Sequence, residues 1–200
     1  MFAAAVTILK VEPGSTFKIV TAAADLEEYL RGNRGAYSPE AVFSSSRTRN
    51  VEGSTIRCWS DHKNGKHANL TLAGALNNSC NPCFVDIVLS LGKETFYDYL
   101  EKFHFGSATG IDFSGEAIGM LLPEATLKNS DLARIGFGQS IAVTPLQLAC
   151  AAAAHASCKG VTAMLCPNPM RARSLFLRVA SGSSIPIASP EKSMPVALPK

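Results

Sequence analysis

Ser15 and Lys18 stand three residues apart in Glu12-Pro13-Gly14-Ser15-Thr16-Phe17-Lys18, the spacing at which two side chains share one face of a helix. Their chemistry is complementary. A serine hydroxyl at a helix N-terminus meets unpaired N–H groups and the positive end of the helix dipole, and both favour a developing anion. A lysine amine in the same turn is repelled by that dipole, and burial penalises its charged form. Its pKa therefore falls toward the range where a neutral amine accepts a proton. A serine with a lysine base is one way to make a nucleophile without histidine. The competing reading is a serine that only caps a helix, beside a solvated lysine; S-x-x-K alone does not separate the two.

Ser79-Cys80-Asn81 is a second polar constellation, set in a tight connection between two apolar helical stretches. Polar side chains in such a connection are either satisfied locally or line a cleft, so Ser79 and Asn81 read as caps, as site residues, or as both. Gly136-Phe137-Gly138 has the look of a phosphate cradle but lacks the following lysine or third glycine. Of the six cysteines, Cys80 and Cys83 form one C-x-x-C, and Cys150, Cys158 and Cys166 recur at a fixed interval. No second C-x-x-C or H-x-x-x-H completes a zinc site. His62 and His67 fall in a polar loop, while His104 and His155 stand alone. The expectation is small core cysteines, no metal and no cofactor.

Two hundred residues, 46% hydrophobic and 18% charged, allow a globular domain with a proper core. A net charge of +3 carried by scattered basic residues argues against a nucleic-acid partner. No run is long and apolar enough to cross a bilayer. The first residues are too short and lack the basic start of a secretory signal, so no export or anchoring signal is expected in this chain.

The elements that must position these residues follow from local pattern. The first eleven residues read as an extended apolar lead-in. Pro13-Gly14 turns the chain into a helix carrying Leu26, Tyr29 and Leu30 at helical spacing, with Gly32 as its stop. Residues 33–69 read as an irregular, hairpin-bearing excursion, with β-prone pieces at Val42-Phe43 and from Thr55 to Trp59. Trp59 is expected to pin that excursion to the core, with stacking on substrate as the alternative. From Leu70 the pattern is helical, with Thr71 as a cap. Asn81-Pro82 starts a nearly all-apolar helix that Gly92 ends. An amphipathic helix spans 93–103, a glycine-punctuated loop 106–123, and Thr144-Pro145 starts an alanine-rich helix. After Ala156 prolines and basic residues dominate, and poor order is expected.

Four segments together carry a resemblance: Pro13-Gly14-Ser15-Thr16-Phe17-Lys18, Asn78-Ser79-Cys80-Asn81-Pro82, Thr109-Gly110-Ile111-Asp112, and the run from Phe137-Gly138-Gln139-Ser140 to Thr144-Pro145. Over residues 5–156 the chain resembles the transpeptidase domain of class B penicillin-binding proteins of the cell-division and sporulation type. The resemblance implies an α+β chain: a helix-dominated fragment of the penicillin-binding transpeptidase/β-lactamase-like fold, its central antiparallel sheet largely missing. Residues 1–156 would be a partial transpeptidase domain and 157–200 an unrelated-looking tail. It also implies serine acyl transfer on the D-Ala-D-Ala stem peptides of peptidoglycan. Ser15 would be the nucleophile, Lys18 its proton acceptor and Ser79 the relay toward the leaving D-alanine. Asn81 would bond the substrate amide, with Gly138 and Gln139 at the substrate-binding loop. β-Lactams would be covalent inhibitors, and cell-wall glycosyltransferases would be partners of full-length members, which are membrane-anchored with this domain outside.

Two departures shape the expectation. Ser140 stands where the family usually has glycine, which alters local backbone freedom. No Lys-Thr-Gly or Lys-Ser-Gly occurs in the 200 residues, and the resemblance stops abruptly after Ala156, read here as a frame change or a misassembled end. In the family that strand supplies an oxyanion N–H, and loss of one such donor costs roughly 10²–10³ in rate. Impaired turnover is therefore expected. The alternatives are a β-lactamase or D,D-carboxypeptidase, in which water accepts the acyl group, and a non-catalytic remnant.

Overall fold

The computed structural model describes residues 6–43, 46–59, 69–111 and 115–157. His62, His67, Asp112 and the tail from residue 158 onward lie outside the described residues, as do residues 1–5 of the lead-in. Val11 forms an antiparallel bridge with Val143, which seats the incoming chain beside a distant segment. At Pro13 it turns into a 3-10 turn over Gly14–Phe17, and this continues directly into α1, Lys18–Leu30. Val20, Ala22, Ala23 and Ala24 are buried on α1; the three alanines let neighbouring elements approach its axis closely. The helix ends as the sequence predicts, with Gly32 in the left-handed region at φ +80°.

The excursion that follows holds two small sheets. Val42–Phe43 (β1) pairs antiparallel with Leu70–Thr71 (β4), and Thr48–Val51 (β2) pairs with Ser54–Arg57 (β3). The β2–β3 register, Val51 opposite Ser54, leaves Glu52-Gly53 as a two-residue turn with both φ positive, as the twist of a tight hairpin requires. Leu70 departs from its helical expectation: it joins β1 through β4 before Thr71 starts the next helix. Trp59 departs further. It is 70% exposed, not pinned in the core, and its indole N–H donates to the Asn78 carbonyl at 2.9 Å. One good acceptor on the surface satisfies its polar edge without burying its ring.

Thr71 caps α2, Leu72–Asn77, by accepting from the Gly74 N–H at 3.1 Å. Helix α3, Asn81–Leu91, is the hub. Phe84, Val85, Ile87 and Val88 are fully buried, and α3 packs against α1, α2 and the β2–β3 hairpin. Gly92 (φ +82°) ends α3 and opens α4, Lys93–Lys102. A loop with one 3-10 turn, Glu124–Thr126, leads to α5, Asn129–Ile135, which closes on α3. Gly136 at its end allows that closure, since a β-carbon there would stand 2.6 Å from Val88 Cγ1. Helix α6, Pro145–Ser157, starts with the expected cap in reciprocal form. The Gln147 N–H donates to Thr144 Oγ1 at 3.1 Å and the Thr144 N–H donates to Gln147 Oε1 at 2.8 Å.

The result is a helix-dominated α+β fold with two two-stranded sheets among the described residues, in keeping with the expected loss of a large central sheet. Among the described residues no helix is long and apolar enough to cross a membrane.

Candidate active site

Four of the residues singled out from the sequence meet at one point. The Lys18 amine lies 3.2 Å from Ser15 Oγ, 2.8 Å from Ser79 Oγ, 2.8 Å from the Ser79 carbonyl oxygen and 2.7 Å from Asn81 Oδ1. Ser15 sits in the 3-10 turn, exposed, whereas Lys18 is 1% exposed on the first turn of α1. One turn of chain thus carries the hydroxyl at the surface and the amine beneath it.

The geometry of Ser79 comes from how α2 stops. Its N–H donates to Leu76 O at 3.0 Å, the Cys80 N–H donates to Ala75 O at 2.9 Å, and Ser79 has φ +50°. This is the paired closure of a helix end through a left-handed residue, a position that usually takes glycine. Serine there costs about 1 kcal/mol of backbone strain. In return the reversed chain presents both its hydroxyl and its carbonyl to Lys18. Asn81 corrects a second expectation. The cap of α3 is Cys80, and Asn81 makes no capping bond. Its Oδ1 is taken by Lys18 and its amide donates to the Arg57 carbonyl at 3.1 Å. Asn81 therefore ties the site to the end of β3, a partner nothing in the local sequence announces.

Burial pushes the Lys18 ammonium down from 10.5 to about 8, against a smaller opposing electrostatic pull from Cys58, Cys80 and Cys83. The Phe84 ring, 5.5 Å from the amine, gives a remaining cation a favourable face. An ammonium has three N–H bonds to offer four oxygens, and Ser15 Oγ is the farthest of the four. Once neutral, the amine keeps two N–H donors and gains a lone pair that a serine O–H can address. The arrangement can take a proton from Ser15 while Ser79 and Asn81 hold the amine in place.

Gly138 and Gln139 lie beside this cluster. The Gly14 N–H donates to the Gly138 carbonyl at 2.9 Å, and a β-carbon on Gly138 would fall 2.0 Å from the Gly14 carbonyl oxygen. Only glycine lets the 136–140 turn brace the Ser15 turn. Thr21 Oγ1 donates to the Gly136 carbonyl at 2.7 Å and fixes the same turn to α1. Gln139 lines a hollow of about 420 Å³ with Asn81, one side chain away from the amine. Ser140 has φ +58°, which accounts for the glycine expected there, and its N–H donates to Glu12 Oε1 at 3.0 Å. Glu12 is a residue the sequence reading did not single out. Among the described residues no three His, Cys, Asp or Glu side chains gather as a metal site requires.

The chain matches the family model for the penicillin binding protein transpeptidase domain over residues 3–162. It is 41% identical over 143 residues to the stage V sporulation protein D of Bacillus subtilis, covering 72% of this chain and 21% of that protein. It is 28% identical to the peptidoglycan D,D-transpeptidase FtsI of Escherichia coli K12 over 138 residues, again 21% of the relative and 69% of this chain. Penicillin binding protein 3 of Mycobacterium tuberculosis, solved with aztreonam, superposes with a TM-score of 0.63 at 28% identity, over 75% of this chain and 33% of that one. The chain thus spans about one fifth of the curated relatives it matches. With the motifs, the fold and these relatives in agreement, the chain belongs to the penicillin-binding protein transpeptidase family.

Proposed function

We propose that this site performs serine acyl transfer on peptides ending in D-Ala-D-Ala, the cross-linking step of peptidoglycan synthesis. One observation carries the reading: a buried amine with a lowered pKa lies within 3.2 Å of an exposed serine hydroxyl and is held by Ser79 and Asn81. Ser15 Oγ attacks the carbonyl carbon of the penultimate D-alanine while its proton passes to the Lys18 amine. The tetrahedral adduct expels the terminal D-alanine, whose nitrogen takes a proton back through Ser79. The acyl group remains on Ser15 until an acceptor amine attacks it. That amine gives its proton to Lys18, and Ser15 recovers its hydrogen. Asn81 has a second amide hydrogen beyond the one on Arg57, available to the substrate's peptide carbonyl. β-Lactams enter the same path and stop at the acyl-enzyme. Within these 200 residues no Lys-Thr-Gly or Lys-Ser-Gly supplies the strand that recognises the terminal carboxylate, so stem-peptide turnover by this stretch alone is expected to be slow.

Incubation with a fluorescent penicillin followed by denaturing electrophoresis tests the reading. We expect a covalent label that Ser15→Ala removes and Lys18→Met reduces by at least about 10³-fold. Absence of label on the parent chain, or label that survives Ser15→Ala, contradicts it.

A further inference from the structure

Beside the amine, and not needed for proton transfer, lies the hollow that Asn81 shares with the end of β3 and the turn after α5. Its volume of about 420 Å³ holds an amino-acid side chain, and two arginines are among the residues that line it. Arg57 enters from the exposed last position of β3, and Arg134 enters from α5, where its Nη2 donates to Ser54 Oγ at 2.7 Å. Ion pairs among the described residues engage Arg31 and Arg49, not these two arginines. One carboxylate, Glu12, also lines the hollow, with Oε1 accepting from the Ser140 N–H. The balance is two guanidinium groups against one acid already hydrogen-bonded to backbone. Planar guanidinium forks match carboxylates in a way that ammonium groups do not.

Position ties the hollow to substrate. Asn81 forms part of its wall and, on the reading above, bonds the amide that precedes the acylated residue. A substituent just beyond that amide enters the space between Arg57 and Arg134. We infer that this hollow is a subsite for a carboxylate on the side chain of the acyl donor or of a β-lactam, anchored by Arg57 and Arg134. The inference rests on the acyl-transfer reading for its orientation, and it makes the site selective for anionic over neutral peptides of equal size.

Benzylpenicillin and carbenicillin differ by one carboxylate on the carbon next to the side-chain amide, and so probe this space directly. Their non-covalent binding to the Ser15→Ala chain can be followed by fluorescence of Trp59, the single tryptophan, two residues from Arg57. We expect carbenicillin to bind about 5- to 10-fold tighter at low salt, with the advantage shrinking as ionic strength rises. Arg57→Gln, a surface change at a strand end, is expected to bring the ratio close to one. Glu12→Gln keeps an oxygen for the Ser140 N–H and is expected to widen the ratio. Arg134→Gln, checked for folding by circular dichroism, is expected to act like Arg57→Gln. Equal affinities in the parent, no binding of either compound, or a ratio unmoved by Arg57→Gln each overturns the subsite. A parent chain that labels at Ser15 yet shows no carbenicillin preference retires the subsite and leaves acyl transfer standing. An unlabelled parent whose preference depends on Arg57 does the reverse.

Discussion

At the residue scale, the site turns on one buried amine. With Lys18 lowered to about 8 by desolvation, the proton-accepting form grows as pH rises. The rate of Ser15 labelling by a penicillin is expected to climb about tenfold per pH unit below this value and level off above it, with its midpoint near pH 8. A pH–rate profile that is flat between 6 and 9 contradicts the neutral-amine role. A second buried group carries an opposite lesson. Asp25 is 0% exposed; Oδ1 accepts from the Tyr37 N–H at 2.9 Å, while Oδ2 is buried with no partner. Burial raises its pKa from 3.8 to about 6. The folded state therefore prefers the protonated acid, and the penalty for ionising it develops as pH rises from about 4 to 6 and persists above. Asp25→Asn keeps the acceptor for Tyr37 and is expected to stabilise the chain by about 2–3 kcal/mol at pH 7. Below pH 4 denaturant melts of the two proteins should coincide.

At the scale of elements, turns decide more than helices do. The left-handed stop of α2 aims Ser79, and the 136–140 turn braces Ser15 through Gly14 and Gly138. Gly138→Ala adds a positive-φ penalty of about 1–2 kcal/mol and drives its methyl into the Gly14 carbonyl. The bracing turn must then move, and we expect Ser15 labelling to slow at least about 100-fold. Wild-type labelling in that variant would show that the turn is not needed. Helix α6 has a different tie. Gln147 is 0% exposed, and its amide nitrogen lies 2.9 Å from the His104 carbonyl, 2.9 Å from Ser107 O and 3.1 Å from Ile118 O. Gln147→Leu is similar in volume but leaves buried carbonyls unpaired, at a cost of about 2–3 kcal/mol in a urea melt. A loss under 0.5 kcal/mol would mean the loop carbonyls find other donors.

On the scale of the whole molecule, α3 is the element around which the others pack, and the β2–β3 hairpin is held at its side by the Arg49–Asp86 ion pair. Local opening follows burial. Amide exchange is therefore expected to be slowest at Val85, Ile87 and Val88, and faster by at least about 100-fold at Glu52 and Gly53. Uniform exchange along the chain would contradict a packed hub around α3.

Much of this was legible in the one-dimensional pattern because it depends on near neighbours. Ser15 and Lys18 share a turn, Thr71 and Thr144-Pro145 start helices, Gly32 and Gly92 end them, and the burial of α3 follows from its all-round apolar surface. Resemblance of the combined motifs then named the family. What local pattern could not reveal was decided by pairings across long stretches of chain. Asn81 leaves its expected cap for Lys18 and Arg57, Trp59 stays at the surface on the Asn78 carbonyl, Glu12 reaches Ser140, and Arg57 and Arg134 come to line one hollow. The physical reason is range: turn, cap and helix energies act over three or four residues, whereas desolvation of Lys18 and the joining of distant loops exist only once the core has closed around them.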